Sequence, residues 1–149
     1  MSAPPIIEKF MYCFLLIGLI VETIEDIKEK KIYLAVVFVE LPVIFGVRFW
    51  LGNAGAAMWI ASLGIGAFFY LLSVLTKEQI GKGDAFVLCM TGAGIGLTNN
   101  LLLIYITFLL AFFAAVFLRA IKRVHKKYSI PLTPFILCSY LLVMGDKIL

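Results

Sequence analysis

Six apolar runs, most of them close to the length of a membrane-crossing helix, follow one another along a chain of 149 residues. A helix needs about 20 mostly apolar residues to cross the hydrocarbon of a bilayer. The runs extend from Ile6 to Glu25, Ile32 to Leu51, Ala54 to Leu75, Asp84 to Leu97 and Leu101 to Leu118. The sixth begins around Pro131 to Pro134 and reaches almost to Leu149. Gly52-Asn53 and Asn99-Asn100 read as turns between runs. Composition removes the soluble alternative. Hydrophobic residues make up 63% and charged residues 15%, where a soluble domain carries about 25% charged. A soluble domain of this size cannot hide that much apolar surface; a bilayer can. The expected fold is therefore an all-α integral membrane protein, a bundle of about six transmembrane helices forming one polytopic domain over residues 1–149. Small residues such as Gly64, Gly66, Gly92 and Gly96 would let helix backbones approach where lipid removes the hydrophobic drive.

Charge placement orients the bundle. Ten of the 13 Lys and Arg residues fall in three loops: Lys28, Lys30 and Lys31; Lys77 and Lys82; and Arg119, Lys122, Arg123, Lys126 and Lys127. With six spans these loops share one face, and the positive-inside rule makes that face cytoplasmic. Both termini then lie outside. The net charge of +4 thus reports topology and contact with anionic lipid, not a nucleic-acid site. His125 sits among the lysines as a solvated residue. The first apolar run leads into Glu22, Glu25 and Asp26, not into a small-residue cleavage site, so it reads as a retained helix. Cys13, Cys89 and Cys138 are too widely spaced for a zinc ribbon and read as buried small hydrophobes.

Charged residues at membrane depth are costly, and each is a functional hypothesis. Two stand out. Asp26 closes the first helix and Asp84 opens the fourth, so the topology puts both at the cytoplasmic end. If those helices are neighbours, two carboxyls converge, as in an aspartic protease. Two close carboxylates share a proton. One can take a proton from water while the other donates to the scissile carbonyl. Asp84 sits in Gly81-Lys82-Gly83-Asp84. The glycines leave the backbone open to a peptide, although Asp after a glycine turn is also an ordinary helix N-cap.

Three stretches resemble the type IV prepilin peptidases, membrane aspartic proteases with a GxGD motif. Asp26-Ile27-Lys28-Glu29-Lys30-Lys31-Ile32-Tyr33 is similar to the family's first aspartate motif, with Tyr33 in place of a proline. Gly81-Lys82-Gly83-Asp84 matches GxGD, with Phe86 where the family usually has lysine. Ile130-Pro131-Leu132-Thr133-Pro134-Phe135 resembles the proline-paired start of the last helix. The three keep the family's order across nearly the whole chain. The CxxC-bearing methyltransferase region of longer members has no counterpart, so the chain resembles the short, peptidase-only form.

The resemblance implies a membrane-embedded aspartic endopeptidase with Asp26 and Asp84 as the catalytic pair and Gly81 and Gly83 as supporting motif residues. Its partners would be membrane lipid and prepilins or pseudopilins, which carry a short basic leader followed by a hydrophobic helix. Cleavage at the cytoplasmic face of a bacterial or archaeal inner membrane would serve a type IV pilus or a secretion machine. No metal or other cofactor is expected. Glu22, Lys28, Glu40, Pro131 and Pro134 are candidates for substrate contact or for support of the pair. Glu22 lies one helical turn before Asp26, on the same face. Glu25 is turned about 100° away from Asp26. Arg48 is expected to snorkel to the head groups, and Trp50 and Trp59 to anchor the outer interface. Two other readings compete. A small transporter or channel would line an ion or proton path with Glu22, Glu40 and Asp84, but transport sites cluster near the midplane, whereas Asp26 and Asp84 are expected at one surface. A non-catalytic assembly scaffold would need neither aspartate.

Overall fold

A computed structural model describes residues 5–29, 34–50, 56–76, 81–122 and 131–148. Six helices account for almost all of these, with no strand among the described residues: α1 (Pro5–Glu29), α2 (Leu34–Trp50), α3 (Ala56–Leu75), α4 (Lys82–Ile95), α5 (Leu97–Lys122) and α6 (Thr133–Ile148). Each expected apolar run overlaps one helix. Tyr33, Lys77 and most of the basic segment, including His125, fall outside the described residues.

The helix ends differ from the sequence expectation, for local reasons. The charged stretch after the first run does not end α1, which continues to Glu29. The break between α4 and α5 falls at Gly96, not at Asn99-Asn100. Gly96 has φ +84°, a left-handed conformation that glycine adopts freely. The two asparagines instead begin α5 and bond back across the break. Asn99 Nδ2 donates to the Ile95 carbonyl (3.0 Å) and Asn100 Nδ2 to the Leu88 carbonyl (3.1 Å). Ile95 is the last residue of α4, where intrahelical partners run out, while Leu88 lies in the interior of the helix.

α4 is the hub. It packs against α1, α2, α3 and α5, while α6 packs against α1 and α5. α3 comes close because Gly66 has no side chain: a Cβ there would meet Cys89 Cβ at 2.6 Å. Gly64 has open space around it and makes no such approach. The core is filled by Leu15 and Leu19 of α1, Ile44 of α2, Val87, Leu88 and Met90 of α4, Leu103 of α5, and Ile136, Tyr140 and Met144 of α6.

The outside is strongly apolar. Phe112, Phe113 and Phe117 of α5, Phe38 and Phe49 of α2, and Ile60 and Phe68 of α3 are all exposed, while Glu22, Asp26, Glu40, Asp84, Asn100, Thr107 and Ser139 are buried. Among the described residues one helix, Leu97–Ile121, is long and apolar enough to cross a membrane. In α3 the apolar segment is the shorter Ile60–Leu75, and the remaining helices are short or carry charges. α2, α4 and α6 have 17, 14 and 16 residues, and α1 carries charges at both ends. Two minor expectations are corrected. Of the cysteines only Cys89 is buried; Cys13 and Cys138 face outward. Arg48 donates to the Gly94 carbonyl at the end of α4, where its positive charge meets the negative end of the helix dipole.

Candidate active site

On α1 the buried positions Met11, Leu15, Gly18, Leu19, Glu22 and Asp26 recur three or four residues apart. This is the spacing of one helix face. Because α1 continues to Glu29, Asp26 lies on a formed helix, and it is 7% exposed. Its Oδ2 accepts two hydrogen bonds from Thr133: the backbone N–H at 3.3 Å and the hydroxyl at 2.5 Å. Thr133 is the first residue of α6, where backbone donors lack intrahelical partners. The next residue, Pro134, has no N–H to satisfy. Asp26 therefore ties the end of α1 to the start of α6. Sequence reasoning missed Thr133, although a threonine between two prolines at a helix start was a visible signal.

Asp84 occupies the third position of α4, and Gly81 is the N-cap, with no side-chain capping bond. The reading of Asp84 as the N-cap is thus corrected. The helix starts earlier, at Lys82, because Gly81 adopts the extended conformation that precedes a first turn (φ −61°, ψ 133°). The Asp84 N–H donates to the Gly81 carbonyl (3.2 Å), and the Gly81 backbone hydrogen-bonds to the Asp84 carboxyl. This resembles the return half of a capping box. A side chain on Gly81 would crowd the carboxyl, its Cβ lying 2.9 Å from Asp84 Oδ2. Gly83 is half-buried in the first turn.

The packing of α1 on α4 brings Asp26 and Asp84 within electrostatic range of each other, and Asp84 is 8% exposed. Glu22 lies in the same cluster. It is fully buried and feels the charges of Glu40, Glu25, Asp84 and Asp26. Glu40 reaches across from α2 to Gly18, where its carboxyl fills the space a side chain would take. Both oxygens of Glu22 and one each of Glu25 and Glu40 are buried without a hydrogen-bond partner. Glu25, a half-buried residue, thus also turns an oxygen inward.

Other candidates stand apart or act through the backbone. Lys28 is exposed at the end of α1. Pro131 and Pro134 are half-buried and flank Leu132 and Thr133, where Leu132 O accepts the first bonds of α6 from Phe135 and Ile136. Phe86 packs between Phe38 and Tyr70, with ring centroids 6.1 and 5.9 Å away. Two residues along a helix is a rotation of about 200°, so this aromatic cluster lies on the far side of α4 from Asp84. Among the described residues no three His, Cys, Asp or Glu side chains are arranged to hold a metal ion.

Residues 13–119 match the model of the type IV leader peptidase family, well over half of the chain. The match takes in α4 and most of α1 and ends before α6. No curated protein and no solved structure matches the chain significantly. With its glycine-flanked Asp84 and its buried Asp26 on an adjoining helix, the chain belongs to the type IV leader peptidase family.

Proposed function

We propose that this peptidase is of the aspartic type, that Asp26 and Asp84 are its catalytic pair, and that residues 1–149 form one membrane-embedded domain. The observation that carries this reading is the convergence of two buried carboxyls from α1 and α4. One aspartate acts as a general base on water, and the other donates a proton to the scissile carbonyl. The pair titrates as a unit. Thr133 fixes the orientation of Asp26, and the Gly81 turn fixes that of Asp84. Gly81 and Gly83 leave room for the peptide.

The inverted distribution of residues supports a bundle in lipid. Aromatic and aliphatic side chains face outward while carboxyls, amides and hydroxyls are buried. The basic loops in the sequence support an orientation with the Asp26–Asp84 end at the cytoplasmic face of a bacterial or archaeal inner membrane. Water is available there for hydrolysis. The substrate is a prepilin or pseudopilin, whose basic leader stays in the cytoplasm while its apolar helix enters the bilayer.

Leader removal tests this reading. The chain is co-expressed with a candidate prepilin in a host lacking its own peptidase, and precursor size is followed on a gel. Wild type shortens the precursor, while Asp26→Asn and Asp84→Asn leave it intact although both reach the membrane. Cleavage by both variants at the wild-type rate would refute the catalytic assignment. If wild type cleaves none of several prepilins, the transporter and scaffold readings take precedence.

A further inference from the structure

Glu22 has no task in the reaction just described. Its side chain is 0% exposed, and neither carboxyl oxygen has a hydrogen-bond partner. Glu40 is 5% exposed, with one oxygen also unpartnered. Gly18, Glu22 and Asp26 recur every four residues, so they stack along one face of α1. Glu40 enters this column at the level of Gly18, where the missing side chain makes room for its carboxyl. The charges that act on Glu22 are all acidic. Lys28 is exposed at the end of α1, and Arg48 is bonded to Gly94 at the end of α4 away from Asp84. Buried carboxyls without donors or a counter-cation are costly. Among the described residues, no positively charged group acts on Glu22.

The reaction makes one in the right place. In the orientation proposed above, the column runs inward from the aspartates. Helical rise puts Glu22 about 6 Å, and Gly18 about 12 Å, deeper than Asp26. The leader lies on the cytoplasmic side of the scissile bond and the apolar segment on the membrane side. On hydrolysis the water oxygen joins the carbonyl carbon and the C–N bond breaks. The nitrogen leaves with a proton from the aspartic pair. It then takes the proton released as the new carboxyl group ionises. The leader ends as a carboxylate, and the apolar product begins with an ammonium group.

We propose that Glu22, with Glu40 beside it, forms a binding site for a primary ammonium, the new N-terminus of the apolar product. The site rests on the reading of Asp26 and Asp84 as the peptidase pair. It holds the product after cleavage and makes its release dependent on neutralising or displacing that charge.

The test uses the full chain in lipid nanodiscs and two synthetic apolar peptides labelled at their C-termini. One has a free α-amino group and the other an acetylated one. Wild type binds the free amine at least about tenfold more tightly, the scale of a hydrogen bond to a charged group. Glu22→Gln abolishes the preference and Glu40→Gln reduces it. Binding of the acetylated peptide is unchanged, which shows that both variants are folded. Equal binding of the two peptides by wild type overturns the proposal, as does a full preference in Glu22→Gln. Precursor cleavage, measured in parallel, separates this from the peptidase reading. Cleavage without discrimination rejects the ammonium site alone. Discrimination that needs Glu22, without cleavage, leaves an ammonium site but rejects both the peptidase reading and the assignment of that site to a cleavage product.

Discussion

The two ends of α4 both bury polar groups, but they treat them differently. At the α5 end, the Thr91 hydroxyl donates to Asn100 Oδ1 (2.8 Å) and Asn100 Nδ2 donates to the Leu88 carbonyl. Arg48 and Asn99 meet the last carbonyls of the helix. At the Asp84 end, carboxyl oxygens of Glu22, Glu25 and Glu40 are buried with no partner. Buried polar groups are normally hydrogen-bonded, and exceptions need an explanation. Among the described residues the α5 end leaves only Arg48 Nε unpartnered, and it has the form of a structural joint. The unsatisfied end has the form of a site waiting for something to bind or react.

The contrast is sharpest for Asp84 and Asn100. Asp84→Asn is expected to cut leader removal on the order of 1,000-fold, the weight of a general acid or base, while thermal unfolding in detergent stays near wild type. Asn100→Ala should do the reverse. It removes two buried hydrogen bonds, to Thr91 and to the Leu88 carbonyl, which keep their bond to each other, and costs roughly 1–3 kcal/mol of stability, with turnover per folded molecule preserved. A stable Asn100→Ala, or an active Asp84→Asn, would break the comparison.

Gly18→Ala tests the packing of the acidic end. Its Cβ falls on the Glu40 carboxyl, so Glu40 must move or the α1–α2 contact must open, at a cost of about 1–3 kcal/mol. An unfolding midpoint equal to wild type would mean that Glu40 lies elsewhere. Thr133→Val removes only the hydroxyl that holds Asp26. It should lower kcat about tenfold with little loss of stability, and Thr133→Ser should restore the rate. A smaller effect belongs to Arg48→Ala at the structural end. Loss of a cation from a helix C-terminus costs up to about 1 kcal/mol, visible as a small drop in the unfolding midpoint and no change in cleavage.

The six helices were legible because each apolar run is long and its breaks are polar. Details at the breaks were not. Asn99-Asn100 has the chemistry of a turn, yet Gly96 makes the turn, Asn99 bonds the Ile95 carbonyl that the break leaves open, and Asn100 reaches back to Leu88 inside α4. Asp84 after glycine has the chemistry of a cap, yet Gly81 takes that position and Asp84 is free to face α1. Asp26 and Asp84 stand out as candidates from motif and topology alone. Thr133 could not be tied to Asp26 without knowing that α6 packs on α1. The Glu40–Gly18 contact depends on the register between α1 and α2, which no local pattern encodes.

The central claim is that Asp26 and Asp84 act as one unit, and single-turnover cleavage tests it most directly. Wild type, Asp26→Asn, Asp84→Asn and the double variant are compared in nanodiscs on one precursor. Residues that act together are grossly non-additive. Each single variant should therefore be as inactive as the double. A single variant that keeps substantial activity, with further loss only on adding the second change, would contradict a shared catalytic pair.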